Sequence, residues 1–262
     1  MKSVQHPRKY LRDYRPPEFT INDTWLEFDL DAQHTRVTSR LGISRQCGDK
    51  SASLVLDGIE LELLALSIDD VPLKTDQYEV GAGHLTIFNV PDKFELSCQV
   101  AIDPSANTRL EGLYLSSGNF CTQCEAEGFR YITYYIDRPD VMSVFSTRII
   151  GDSARLPVLL SNGNRDNSGE TAERHWVEWV DPFPKPSYLF ALVAGDLATI
   201  DGEFVTKSGK TVSLQFFTEH HNREKCGHAL ASLQKAMKWD EEAFGLEYDL
   251  ALYMVVAVDD FN

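Results

Sequence analysis

Along its first two-thirds the chain alternates between apolar and polar positions. Leu26, Phe28 and Leu30 stand against Glu27, Asp29 and Asp31. Val37, Ser39, Leu41 and Ile43 share one face of the next run, and Phe94, Leu96, Cys98, Val100 and Ile102 share one face of a later one. Period two over such lengths predicts half-buried strands. Asp57-Gly58 and Asn162-Gly163 are turn dipeptides between runs. Many short strands punctuated by Gly, Asn and Pro predict a sandwich or a curved sheet. Pro182, Pro184 and Pro186 predict an irregular stretch, because proline lacks an N–H and restricts the residue before it. The apolar segment "YLFALVAG" that follows predicts a strand.

Near Asp196 the pattern changes. "KTVSLQFFT" reads as a strand, and residues 222–244 then carry the strongest helical period, with Cys226, Leu230, Leu233, Met237 and Phe244 on one stripe. Asn222 is placed to cap that helix and Gly245 to end it. The run "LYMVVAV" has strand length and no alternation, which predicts a strand buried on both faces. We therefore expect an all-β domain over residues 1–196 and a mixed piece over 197–262 that stops half-built. Its apolar edge around Tyr253 to Val258 is expected to promote association or disorder.

The composition is that of an ordinary globular protein: 262 residues, 43% hydrophobic, 25% charged. A formal net charge of −15 argues against nucleic acid, whose binders need a basic face. It suits a cationic ligand or merely a solvated acidic surface. The basic N-terminus has no apolar core, so it does not read as a secretory signal, and no run has the length of a membrane span. Five cysteines, an odd number, with no such signal predict free thiols in a cytoplasmic setting and no membrane partner.

Two clusters invite chemistry. Cys121-x-x-Cys124 has no second C-x-x-C or histidine pair to complete a zinc site. Strand-like sequence flanks it, including "FRYITYYI", where a redox motif needs a strand meeting a helix. Two buried or half-buried thiols are the favoured reading. His220, His221, Cys226 and His228 match no metal template. Gln123, Glu125 and Glu127 differ in kind. In an extended segment they share a face, and a carbonyl oxygen beside a carboxylate makes a good acceptor pair for an ammonium group. A solvated strand edge accounts for them equally well. No metal site is expected in this chain, and no complete catalytic set is visible.

Longer segments add a resemblance. "TRLEGLYLSSGNFCTQCEAEGFRYITYYIDRPDV", "LPVLLSNGN", "HWVEWVDPFPKPSYLFALVAGD" and "MKWDEEAFGLEYDLALYMVVAVDDFN" resemble, in order and without large gaps, the start of the bacterial aminopeptidase N family. These are alanyl-type zinc aminopeptidases of the gluzincin class. The resemblance implies a mainly β fold: an N-terminal all-β sandwich or saddle-like domain, then the truncated α+β start of a thermolysin-like catalytic domain. It implies that Gln123 and Glu125 bind the free α-amino group of a peptide substrate, with the cysteines as bystanders. It also implies a cis peptide bond at Glu125–Ala126, with Gln123 and Glu125 converging and Glu127 turned away. A glutamine at the place of Glu125 marks the related epoxide hydrolases, so the glutamate implies a dedicated aminopeptidase.

In that family "VVAVDDFN" is followed by Met, then G-A-M-E-N, then H-E-x-x-H, a further zinc-binding Glu and a transition-state Tyr. None is present here. The chain thus resembles an N-terminal fragment that would be inactive alone, with zinc needed by the parent enzyme and not bound by this chain. The rival expectation is a non-enzymatic peptide-binding module that reuses the β-domain.

Overall fold

The computed structural model describes residues 10–47 and 51–259. The basic segment before Tyr10 and the final Asp260–Asn262, both weighed above, lie outside them. In chain order the strands are β1 (Phe19–Asp29), β2 (Thr35–Arg45), β3 (Leu54–Asp57), β4 (Glu62–Ile68), β5 (Val71–Pro72), β6 (Tyr78–Gly81), β7 (His84–Ile87), β8 (Lys93–Ile102) and β9 (Gly112–Ser116). They continue with β10 (Asn119–Gln123), β11 (Met142–Asp152), β12 (Val158–Ser161), β13 (Asn164–Thr171), β14 (Arg174–Pro186) and β15 (Leu192–Gly195). Then come β16 (Ala198–Val205), β17 (Thr211–Thr218), helix α1 (Gly227–Phe244) and β18 (Leu252–Ala257).

The alternating runs build one large sheet, ordered β13-β14-β11-β1-β2-β8-β4-β5. The β1–β11 pair within it is parallel. Its inner face carries the apolar set read from the sequence: Leu26, Phe28, Val37, Leu41, Ile43, Leu96 and Val100 are fully buried. They pack in one cluster with Leu54, Leu56, Leu85 and Ile87 from the β3-β7-β6 sheet and with Phe120, Leu159, Leu192 and Ala194 from the β12-β15-β10-β9 sheet. The fold is therefore a mainly β sandwich.

A third layer follows. β16, β17 and β18 form a sheet in which β18 runs parallel to β17. Phe217, Leu252, Met254, Val256 and Val258 pack on the main core. Val212, Leu214 and Tyr253 pack instead with Phe204, Leu230, Leu233 and Met237, the last three from α1. Period two thus sends alternate residues of β18 into different layers, which accounts for a run apolar at every position.

Five local expectations are corrected. The prolines do not break the chain: β14 runs through all three. They fall where the pairing with β11 shifts between Ser143 and Phe145, and β13 pairs with β14 only as far as Val180. A bulge with a free flank needs no ladder N–H from proline. The segment 188–195 is only half strand, because a 3-10 turn occupies Ser187–Leu189 before β15 begins.

The helix starts later than expected. A 3-10 turn takes His220–Lys225, α1 begins at Gly227, and buried Asn222 makes no cap. Its side chain bonds elsewhere, to Asp259. Phe244 is exposed and packs edge-on against Trp239, at an open cleft that it shares with Phe183 and Leu246. Finally, β18 is half-buried, because it lies at a sheet edge and pairs on one side only. Gly245 does end α1, in the left-handed conformation, φ 69°.

Candidate ammonium-binding segment

Strand β10 carries the segment. It pairs with β9 along its length, out to Gln123↔Gly112, but with β15 only at Phe120 and Cys121. Beyond that the Thr122 hydroxyl takes over the ladder, accepting from the Leu192 N–H (2.8 Å) and donating to the Leu192 carbonyl (3.2 Å).

After Gln123 the chain turns sharply. The Glu125–Ala126 peptide bond is cis, and Glu127 takes a left-handed conformation, φ 70°. The Gly128 N–H closes the turn on the Cys124 carbonyl at 2.8 Å. A side chain at Gly128 would meet the Gln123 carbonyl and, at 2.9 Å, the Cys124 Cα, so only glycine fits.

The shared strand face expected for Gln123, Glu125 and Glu127 does not exist, because the strand ends at Gln123. The Gln123 amide donates from Nε2 to the Glu125 carbonyl at 2.8 Å. Only the NH2 end can bond a carbonyl, so the contact fixes the amide and leaves Oε1 as its acceptor end. The Glu125 side chain is exposed, and among the described residues no cation pairs with it. Glu127 lies toward Arg130, 3.8 Å away.

Behind the turn sits a buried ionic cluster. The Arg130 N–H and Nε both donate to Asp137 Oδ2, at 3.2 and 3.0 Å, and Nη2 donates to the Asp137 carbonyl at 3.1 Å. Asp137 Oδ1 accepts from Ser187 Oγ at 2.6 Å, and the Asp137 N–H donates to Asp57 Oδ2 at 3.2 Å. Burial raises the Asp57 carboxyl above its ordinary range, against the pull of Arg130. One guanidinium thus faces three carboxylates, Asp57, Glu127 and Asp137.

The stretch "FRYITYYI" is not a strand. It is a 3-10 turn at Phe129–Tyr131 and then irregular chain, with a lone bridge from Tyr135 to Asp57. Phe129 packs against Tyr135, Phe145 and Phe190. The Tyr135 hydroxyl hydrogen-bonds Thr24 Oγ1 (3.0 Å), which in turn meets Ser143 Oγ (2.8 Å). Aromatic and β-branched residues here serve a buried knot, whose composition mimics a strand.

The two cysteines of the segment form no disulfide. Cys121 and Cys124 are free and buried. Burial, helped by the nearby Glu219, pushes the Cys121 thiol up to about 11, and burial raises Cys124 further. The histidines diverge: His220 bonds Asp196, His221 bonds Asp259, and His228 lies beside Ser232. Among the described residues no group of three or more His, Cys, Asp or Glu side chains is arranged to hold a metal ion.

The β sandwich that carries this turn belongs to a known class. The Peptidase M1 N-terminal domain matches residues 9–189, and the chain is a member of the peptidase M1 family. It is 54% identical over 253 residues to aminopeptidase N of Caulobacter vibrioides and 52% over 261 residues to that of Escherichia coli. Those matches cover 96% and 99% of this chain but only 29% and 30% of the relatives, so the chain spans about a third of their length. A crystal structure of Legionella pneumophila aminopeptidase A in complex with aspartic acid superposes with a TM-score of 0.92 at 36% identity, covering 97% of this chain and 30% of that one. An M1 zinc metallopeptidase from Deinococcus radiodurans shares the fold, with a TM-score of 0.77 at 14% identity, covering 92% of this chain and 57% of that one.

Sequence reasoning missed Arg130, Asp137, Asp57 and Ser187. Arg130 and Asp137 lie in a stretch that is neither regular helix nor strand, and Asp57 is distant in sequence, so no period of a regular element brings them together. A lone arginine inside an apolar aromatic stretch was the available signal, since a buried cation needs a partner.

Proposed function

We propose that this chain is the N-terminal part of a zinc aminopeptidase of the alanyl type, and that Gln123 and Glu125 bind the α-ammonium group of a peptide substrate. The observation that carries the reading is the hydrogen bond from the Gln123 amide to the Glu125 carbonyl, which leaves the amide oxygen as an acceptor two residues from an exposed carboxylate that has no cation partner among the described residues. An ammonium offers three donors, and a carboxylate with a neutral acceptor satisfies two of them while supplying the counter-charge. The acidic surroundings favour a cation over a neutral N-terminus. The names of the relatives as aminopeptidases support the substrate class.

On this reading the chain binds and orients the amine, and zinc, with the residues that hold it, belongs to the rest of the enzyme. The metal would polarise the first peptide carbonyl and activate water. The chain described here then has no hydrolytic activity of its own. We also assign residues 1–196 to the β domain and 197–262 to the beginning of the catalytic domain, and place the enzyme in the cytoplasm.

The test is to assay this chain and the full-length enzyme side by side on an alanyl anilide with added zinc. Turnover by the full-length enzyme alone is expected. If the chain binds peptides tightly and no zinc-dependent turnover accompanies any longer product of the gene, a non-enzymatic peptide-binding module replaces this reading.

A further inference from the structure

The chain leaving β18 is held by a clamp that the proposed function does not use. The last ladder pair is Thr218↔Ala257. Two residues further on, Asp259 meets three groups from the connection between β17 and α1. Its N–H donates to Glu219 Oε1 at 3.0 Å. Its Oδ1 accepts from Asn222 Nδ2 at 2.7 Å, and its Oδ2 lies 2.8 Å from His221 Nε2. These bonds lower the Asp259 carboxyl below its ordinary range, Asn222 first and then His221.

The clamp is itself built. Asn222 is buried, and its Oδ1 accepts from Lys225 Nζ at 2.6 Å. That bond leaves the Asn222 NH2 facing Asp259, so the amide cannot flip without losing both contacts. Glu219 is half-buried, and the next residue, His220, has its Nε2 2.9 Å from Asp196 Oδ1, directly after β15, the strand that pairs with β10 at Phe120 and Cys121. Cys121 stands on β10, two residues before Gln123. The connection that Glu219 opens is therefore fixed to the end of β15, beside the strand that carries the candidate anchor, and it also holds the chain leaving β18. An edge strand frays where its ladder ends unless something ties it down. Here the tie comes from a connection that is also fixed beside β10.

We propose that Glu219 is a positioning residue, fixing the chain at Asp259 against β10 so that Gln123 and Glu125 keep a set position relative to the layer formed by β16–β18 and α1. Asn222 and His221 are its auxiliaries. The inference rests on the reading of Gln123 and Glu125 as the ammonium anchor.

Two measurements test it. In this chain, the Asp259 amide is expected to exchange slowly with solvent. Glu219→Ala removes the protection, and Glu219→Gln, which keeps an acceptor oxygen, retains it. A wild-type Asp259 amide that exchanges like an open chain overturns the clamp. In the full-length enzyme, Glu219→Ala is expected to raise KM for an alanyl anilide about tenfold, with kcat nearly unchanged. Glu219→Gln recovers most of the loss. Exposed His221→Ala gives a smaller shift in the same direction, and serves if Glu219→Ala fails to fold. If Glu125→Gln raises KM while Glu219→Ala and His221→Ala do not, the positioning role is wrong and the anchor stands. If none of the three moves KM, the anchor reading and this inference fall together.

Discussion

Arg130 and Asp137 hold each other by three hydrogen bonds, two to one carboxylate oxygen and one to the backbone carbonyl. The Asp137 side chain is 2% exposed and that of Arg130 16%. The pair closes the loop that follows Gln123 and Glu125, and Asp57 and Ser187 tie it to two other parts of the sandwich. The candidate anchor thus sits on a turn whose far side is fixed by a buried charge pair.

Removing one partner strands the other. Asp137→Ala leaves a guanidinium largely buried with Asp57 and Glu127 at longer range. Breaking a buried pair in this way costs about 3–5 kcal/mol. Urea denaturation is expected to show that loss. A change below about 1 kcal/mol would mean that the pair is no more than a surface contact.

Lys185 is 7% exposed, bonds Asp181 at 3.0 Å and lies 4.2 Å over the Phe145 ring. Burial lowers its pKa, against the pull of Asp181. Lys185→Met alone leaves Asp181 without its ion pair and is expected to destabilise by about 2–4 kcal/mol. Adding Asp181→Leu should recover much of that loss, and a double-mutant cycle measures the coupling. Additive losses would contradict the account.

Acid should destabilise the protein through exposed turns. Backbone N–H groups of Gln33 and His34 hold the Asp31 carboxyl below its ordinary 3.8, and those of Arg155 and Ala154 do the same for Asp152. The Arg138 guanidinium lowers Asp140. A folded pKa below the unfolded one gives stability that is present above the unfolded value and lost as pH falls through the folded one. Asp57, raised by burial, works in the opposite direction. Since the lowered groups outnumber it, the urea midpoint is expected to fall between about pH 4 and about pH 2. A midpoint that rises over that range would contradict the assignment.

Thiol chemistry separates the five cysteines. Cys47 is exposed, while Cys98, Cys121, Cys124 and Cys226 are buried. Burial pushes Cys98 up to about 12 and contributes most of the rise at Cys121. A disulfide reagent at mildly alkaline pH should titrate one thiol quickly in the folded protein and all five in denaturant. Fast reaction at Cys121 or Cys124, located by mapping the labelled peptide, would show that the β10 region opens.

The large sheet was legible because its strands bury one face each: Phe94, Leu96, Cys98, Val100 and Ile102 are all buried at the alternate positions that the sequence marks. Gln123 and Glu125 could be singled out by residue type as a candidate acceptor pair, but not their geometry. That depends on a turn after β10 and on the approach of Gly128 to Cys124, which no period encodes. The prolines misled because their tolerance depends on a bulge against β11, a property of the partner strand. Asn222 misled because its local sequence suits a cap while Asp259, distant in sequence, claims its side chain. Side chains that bond across the fold leave no local pattern.

The central claim is that Glu125 supplies the counter-charge for a substrate ammonium. Its side chain is exposed, so Glu125→Gln should leave stability within about 0.5 kcal/mol. The decisive measurement is KM and kcat of the full-length enzyme carrying Glu125→Gln, with an alanyl anilide near neutral pH. The account predicts a KM raised about ten- to a hundredfold, the equivalent of one charge-assisted hydrogen bond. A KM within about twofold of the unaltered enzyme, in a variant that melts normally, would contradict it.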